Sequence, residues 1–504
     1  MNDIKPEIED EDVDISLLKD IPLNFSRTNA ILPLKIIDRS LWVAVCDKNA
    51  VFAANDLARR LKLELKTRDV SRQALMEAIN RYYGAASNAG EIMGAISGQD
   101  LSEVAVEFAS PKDIVEAVGD APVIKLINAL FQEAVNKKAS DIHIEPYEKD
   151  LEIRLRVDGI MHKILTPPKI AQEALISRIK VMAGLDIAEK RLPQDGRIRL
   201  LIASKDVDVR VSIIPTIHGE RVVLRLLDRG QTLLGLRDIG LDKEEAAHLE
   251  NVVNTTHGMF LVTGPTGSGK TTTLYALIQQ LRDEKRNIMT VENPVEYEIK
   301  GIAQMQVKPH IGLTFASGLR SILRQDPDCI LVGEIRDPET AQTAIQASLT
   351  GHVVFSTLHT NNAASTIIRL LDLGVEPYLV SSCLLGILAQ RLVRVICTHC
   401  KESYSPSDTE KGYFKEAPKQ LYRGKGCPRC LDEGYKGRTG IFELLVIDEE
   451  LRAMIISGLD AQSISAKAVK KGMKTINCDG MNKVLKGTTT LNEVLRVTQK
   501  EYSE

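Results

Sequence analysis

Aromatic side chains are scarce: 504 residues include a single tryptophan, and aromatics make up 4% of the chain. Proteins that grip single-stranded nucleic acid stack its bases on aromatic rings lining a basic groove. That scarcity, with a formal net charge of only −3, argues against a nucleic-acid motor. Long apolar runs are missing too. Residues 340–368 carry no Asp, Glu, Lys or Arg, but they are rich in Gln, Thr, Ser, His and Asn. The more apolar run 377–390, PYLVSSCLLGILAQ, falls short of the roughly 20 residues a spanning helix needs. Membrane contact is therefore expected to be indirect. Residues 1–20, MNDIKPEIEDEDVDISLLKD, read as an acidic, solvated tail, and no secretory leader is expected there. A signal-less chain of this kind is expected in the cytoplasm. There, paired cysteines hold metal more often than they form disulfides.

What is present organises the rest. At about 150 residues per domain the length suggests three domains. After the tail, residues 21–82 read as a small α/β unit: LPLKIIDRSLWVAVCD alternates as strand–turn–strand, and NAVFAANDLARRLKLEL and SRQALMEAINRYY carry helical spacing. Residues 83–119 read as a linker. From 120 to 235 a helix with apolar Ile124, Ile127, Leu130, Phe131 and Ala134 precedes strand-like runs, LEIRLRVDGIMHKI, RIRLLIAS, VDVRVSIIPT and ERVVLRLLD. From 240 to 504 strands alternate with helices, the pattern of a mostly parallel sheet covered on both faces.

The third region contains GPTGSGKT. Gly264, Gly269, Lys270 and Thr271 satisfy the P-loop spacing, between an apolar strand, MFLVT, and a helix, TTLYALIQQL. Its glycines turn backbone N–H groups toward phosphate, and the helix adds its positive end. Residues Gly264, Pro265, Thr266, Gly267, Ser268, Gly269, Lys270, Thr271 and Thr272 are thus the expected nucleotide-binding loop. Lys270 would reach the β and γ oxygens, and the Thr271 hydroxyl would ligate Mg²⁺. Three further strands deliver polar groups past their ends: NIMTVENPVEYE offers Glu292, Asn293 and Glu296, DCILVGEIRD offers Glu334, and HVVFSTLHT offers His359. Ligands of open α/β sheets bind at such strand ends. Carboxylates gathered around a triphosphate make sense with a divalent cation and one base to orient water.

Together GPTGSGKTTTLY, VENPVEY, LRSILRQDPDCILVGEIRD and QASLTGHVVFSTLHTNNA resemble the Walker A, Asp box, Walker B and His box of the secretion ATPases of bacterial type II secretion and type IV pilus systems. Upstream, ASDIHIEP, LRVDG and RLPQDGRI match the domain that precedes the motor there. The chain looks most like the type II secretion ATPases, the GspE family, with pilus-assembly ATPases as nearest relatives. The resemblance implies a RecA-like motor preceded by an α+β domain and an N-terminal docking domain. It implies that Glu334 holds Mg²⁺ through water and that Glu296 is the general base. Arg210 and Arg225 would reach the γ-phosphate and His359 would sense it. Arg320, Arg324 and Arg336 would line an interdomain or intersubunit face. Where this chain has Asn293 the family usually has Asp, and the lost charge argues against a metal role there.

Cys397, Cys400, Cys427 and Cys430 form two Cys-x-x-Cys pairs with 26 residues between them. Two such knuckles complete a tetrahedral zinc site. A redox dithiol and unpaired structural cysteines are the competing readings. With four sulfurs the site is closed and structural, stapling a subdomain at about 395–440, and His399 is expected to be exposed. The resemblance further implies a homo-hexamer docked, through the N-terminal domain, on the cytoplasmic part of an inner-membrane secretion protein of the GspL type. Such a motor would spend ATP on protein export across the outer membrane, acting on the inner-membrane platform and pseudopilus. Pilus assembly is the alternative, a nucleic-acid motor is less favoured, and a non-hydrolysing scaffold is disfavoured by the carboxylates.

Overall fold

A computed structural model describes parts of residues 13–79, residues 121–228 except 203 and 204, and residues 234–498 except 283 and 284. Nearly all of the tail and all of the 83–119 linker lie outside these. The chain divides into two compact units, Met1–Gly230 and Gln231–Glu504.

The first unit contains two sheets. In the smaller, β1 (Ile31–Ile37) pairs antiparallel with β2 (Ser40–Val45), and β3 (Glu64–Asp69) lies parallel to β2. Helix α1 (Ala50–Arg60) buries Ala54, Leu57 and Ala58. The helical spacing expected through LKLEL stops at Arg60. Leu63 and Leu65 alternate with charged neighbours, a period of two rather than 3.6, and the segment joins the sheet.

The larger sheet follows α2 (Ala121–Asn136). Strands β4 (Asp141–Pro146), β5 (Leu151–Val157), β6 (Ile160–Leu165), β7 (Gln194–Ile202), β8 (Lys205–Thr216) and β9 (Gly219–Asp228) pair antiparallel in the order β6-β5-β4-β9-β8-β7. Ile144, Ile153, Val211 and Leu224 are among the residues of one face that join α2 in a core. The opposite face is charged. Between β6 and β7 the chain forms a helix, α3 (Ala171–Ala183), where the sequence reading expected only strands. Its buried stripe of Leu175, Ile176 and Ile179 also contains Gln172 and Lys180, and these polar residues mask the amphipathic period. The Lys180 ammonium is 1% exposed, 2.7 Å from Glu220 of β9, and donates to the Glu189 carbonyl at 2.6 Å. Removing one partner of such a buried pair costs about 3–5 kcal/mol, so Lys180 ties the 184–193 loop and β9 firmly to α3.

In the second unit a seven-stranded sheet runs in the order β12-β11-β13-β14-β10-β15-β18. Its members are β10 (Gly258–Thr263), β11 (Ile288–Glu292), β12 (Ala303–Gln306), β13 (Cys329–Val332), β14 (Val353–Leu358), β15 (Leu384–Ile396) and β18 (Tyr435–Val446). All pairings are parallel except β15 with β18. Strands β10, β13 and β14 are buried along their whole length, which is why they read as unbroken apolar runs. Helices α4 (Lys243–Val253), α5 (Lys270–Leu281), α6 (Phe315–Ile322), α7 (Pro338–Leu349), α8 (Ala363–Asp372) and α9 (Pro377–Cys383) belong to this layered unit. The apolar run 377–390 is divided between α9 and β15. A two-stranded ribbon, β16 (Lys401–Tyr404) with β17 (Leu421–Gly424), lies between β15 and β18 in sequence. Among the described residues no helix is long and apolar enough to cross a membrane.

Candidate nucleotide site and cysteine cluster

The loop Gly264–Gly269 leaves the carboxyl end of β10, and α5 begins at Lys270. Two of its glycines are required by conformation and space. Gly264 has φ +143, and a Cβ there would lie 2.4 Å from the Gln390 carbonyl and 2.6 Å from Ser268 Oγ. Gly267 has φ +78 and faces open space. The Lys270 ammonium folds over the loop, donating to the carbonyls of Gly264 at 2.7 Å and Pro265 at 3.0 Å. Burial lowers its pKa to about 8; the Glu334 carboxylate opposes this and the Arg391 guanidinium adds to it. A bound anion would restore the fully charged form. Ser268 Oγ is buried and has no hydrogen-bond partner among the described residues. An orphaned hydroxyl, a helix end and a folded-over lysine fit a phosphate cradle.

A residue that the sequence motifs do not mark clamps this loop. Gln390 of β15 is 2% exposed; its amide donates to the Ser268 carbonyl at 2.7 Å and accepts from the Thr273 hydroxyl at 2.8 Å. It therefore grips the loop and the first turn of α5 together. A lone amide at the end of PYLVSSCLLGILAQ was the available signal.

The neighbouring strands bring Glu334 and His359 together. Thr357 Oγ1 donates to the Gly333 carbonyl at 2.8 Å, and the Ile335 N–H bonds the Thr357 carbonyl. Glu334 sits 2.7 Å from Arg336 Nε and 3.4 Å from His359 Nε2, with 12% of its side chain exposed. Thr271 and Thr272 are exposed at the start of α5. Arg320 lies on the exposed side of α6, where Glu339 holds it at 2.6 Å, and Arg324 is exposed just past the end of that helix.

Glu292 and Glu296 have different surroundings. Glu296 is half-buried past the end of β11, and Asn293 is exposed. Glu292, expected with them at the strand end, is the last paired residue of β11 and is 3% exposed. Its carboxylate accepts from the hydroxyls of Tyr275 at 2.5 Å and Thr290 at 2.6 Å and from the Gln304 amide at 3.1 Å. These three donors hold it inside the fold rather than at the open strand end.

On the charged face of the larger sheet in the first unit, Arg210 of β8 stands directly opposite Arg225 of β9. Arg197 flanks Arg210 on the other side. Arg225 is paired to Asp141 at 3.0 Å, and Asp141 lies opposite Arg156 on β5. Arg197, Arg210 and Arg225 thus form a row across three strands, in which the Asp141 carboxylate offsets Arg225.

The four paired cysteines converge at the far end of β15 and β18. All four sulfurs lie within 4.8 Å of one another. Cys397–Cys427, Cys400–Cys430 and Cys427–Cys430 are separated by 3.9, 3.8 and 3.6 Å. A zinc ion with bonds of about 2.3 Å requires sulfurs about 3.8 Å apart. Cys430 Sγ also accepts from the Cys427 and Gly434 N–H groups. His399 is exposed beside Arg429 and is not part of the cluster.

A phosphate-cradling loop at the centre of a parallel sheet, with an acid and a histidine at adjacent strand ends, defines a P-loop nucleoside-triphosphatase core. The type II/IV secretion system protein family matches residues 116–496, and the MshEN domain matches residues 6–89. The chain belongs to that secretion family, as an ATPase of the type II protein E group. It is 48% identical to type II secretion system protein E of Pseudomonas aeruginosa over 95% of this chain and 96% of that protein. It is 52% identical to type II secretion system ATPase E of Vibrio cholerae, covering 83% and 84%. Identity to the type IV pilus assembly ATPase PilB of Myxococcus xanthus is 42%, covering 97% and 88%. The pilus retraction motor PilT, solved with bound ADP, aligns with a TM-score of 0.51 at 26% identity over 74% of this chain and 96% of that one.

Proposed function

We propose that this chain works as a homo-hexameric ATP-driven motor for protein export across the outer membrane, attached peripherally to the inner membrane. The observation that carries the reading is Lys270 folded over a glycine loop beside Glu334 and His359. Lys270 and the loop amides would bind the β and γ phosphates. Bound Mg²⁺ would neutralise charge on the phosphoryl oxygens, held by the Thr271 hydroxyl and, through water, by Glu334. Glu296 would orient and deprotonate the attacking water, and His359 would sense the γ-phosphate. Arg210 and Arg225 would meet γ-phosphate charge with two guanidinium forks, which pair bidentately with phosphate oxygens.

Zinc at Cys397, Cys400, Cys427 and Cys430 would close the insertion between β15 and β18. Changing Cys397 or Cys430 to Ser is expected to release about one zinc per chain. Atomic absorption measures this directly, and unchanged metal content would remove the assignment. The N-terminal region, residues 21–82, would dock on the cytoplasmic domain of an inner-membrane protein of the GspL type, and residues 83–119 would tether it.

The test of the export reading is genetic. Deleting this chain from the bacterium that makes it should trap exported enzymes in the periplasm while pili persist. Loss of pili with export intact would move the motor's work to pilus assembly.

A further inference from the structure

The buried carboxylate of Glu292 has a neighbour that the nucleotide chemistry above does not use. Tyr275 lies on α5, five residues after Lys270, and is 1% exposed. A phenol offers one O–H donor and two acceptor positions. Here the O–H goes to Glu292 at 2.5 Å, and the oxygen accepts the backbone N–H of Glu296 at 3.3 Å. Burial first, and then the Glu292 carboxylate, push the Tyr275 pKa far up, so the phenol keeps its proton and the bond to Glu292 keeps its direction.

The other side of this link is equally constrained. Glu292 forms no ion pair among the described residues, so three neutral donors, from Tyr275, Thr290 and Gln304, satisfy it. A buried carboxylate without a counter-ion is costly, and such a network tolerates little loss of any one donor. Gln304 also donates to the Tyr297 carbonyl at 3.0 Å and accepts the Ile299 N–H at 2.7 Å. The Tyr275 and Tyr297 rings meet edge to face at 6.0 Å. The segment around Glu296 is therefore held by Tyr275 at one point and by Gln304 at two others.

We propose that Tyr275 is a positioning residue for hydrolysis: anchored by Glu292, its hydroxyl fixes the Glu296 backbone relative to the P-loop helix. This rests on the reading of Glu296 as the base. The Glu296 side chain acts on water near the γ-phosphate, and Lys270 at the head of α5 grips that phosphate. One hydroxyl thus sets the register between phosphate and base. Displacing a catalytic group by about 1 Å costs roughly a hundredfold in rate.

The test compares Tyr275→Phe, Glu292→Gln, their double variant and Glu296→Gln in the full chain, using steady-state hydrolysis of Mg-ATP and affinity for a non-hydrolysable ATP analogue. Tyr275→Phe keeps the ring contact and is expected to lower kcat roughly 10- to 100-fold, with KM and analogue affinity within about twofold. The double variant should fall no more than about twofold below the worse single one, because without the Tyr275 hydroxyl the residue at 292 has nothing left to anchor. Glu296→Gln should lose turnover. If Glu296→Gln is inactive while Tyr275→Phe keeps its kcat, the positioning role is overturned and the base assignment stands. If Glu296→Gln turns over normally, the base assignment falls and the proposal with it. A rate loss matched by lost analogue affinity, or fully multiplicative losses in the double variant, would mark ordinary packing and overturn the proposal.

Discussion

Lys270→Ala should reduce ATP turnover by roughly a thousandfold or more, the largest effect expected of any single change in this chain. The ammonium folds directly over the phosphate loop, bonded to the carbonyls of Gly264 and Pro265. Its burial, which lowers its pKa to about 8, means that it is poorly hydrated before any anion arrives. A poorly hydrated, preorganised cation stabilises developing phosphoryl charge far better than a solvated one. The loop itself should survive, because Gln390 clamps the Ser268 carbonyl and Thr273 without help from the lysine. Phosphate release from purified wild type and variant, with circular dichroism as the control for folding, is the measurement. Turnover within tenfold of wild type would remove Lys270 from the mechanism.

Glu334→Gln should separate binding from turnover. The amide keeps the shape of the carboxylate but loses the charge that faces Arg336 at 2.7 Å and His359 at 3.4 Å. The proposed metal partner is lost with it, and kcat is expected to fall roughly 10²- to 10³-fold. Nucleotide affinity should change by only about threefold, because the loop N–H groups and the helix end are untouched and a bound anion keeps Lys270 charged. One side effect has a definite sign: Glu334 supports the charged form of Lys270, so its neutralisation lowers the Lys270 pKa further. Binding of a fluorescent nucleotide, measured beside hydrolysis, checks both expectations. Wild-type hydrolysis would end the metal assignment, and a loss of binding equal to the loss of rate would make Glu334 a binding residue instead.

The buried Glu292 and Gln390 depend on partners that no local pattern marks. Glu292 and Glu296 stand four residues apart in VENPVEY, and both are carboxylates after an apolar strand. Nothing local distinguishes them. Only the pairing of β11 with β12, which places Glu292 opposite Gln306 and beneath Tyr275, makes one an anchor and leaves the other half-buried beyond the strand. Gln390 was hidden for a different reason: its partner Ser268 is 122 residues away. In α3, Lys180 and Gln172 occupy the buried side and hide its amphipathic period.

By itself the sequence determined whatever is encoded within a few consecutive residues or by regular period. The spacing of Gly264, Gly269, Lys270 and Thr271 specifies a phosphate loop because backbone conformation there depends on local φ, and glycine alone admits it cheaply. Unbroken apolar runs specified buried parallel strands, since strands covered on both faces have no solvent side to mark. Tertiary structure decided what depends on distant partners: the four-sulfur cluster drawn together at the end of β15 and β18, the row of Arg197, Arg210 and Arg225 across three strands, and the Gln390 clamp. It also decided the fate of Glu292. A carboxylate's role is set by which donors surround it, and those donors come from α5, β11 and β12, brought together only when the sheet forms.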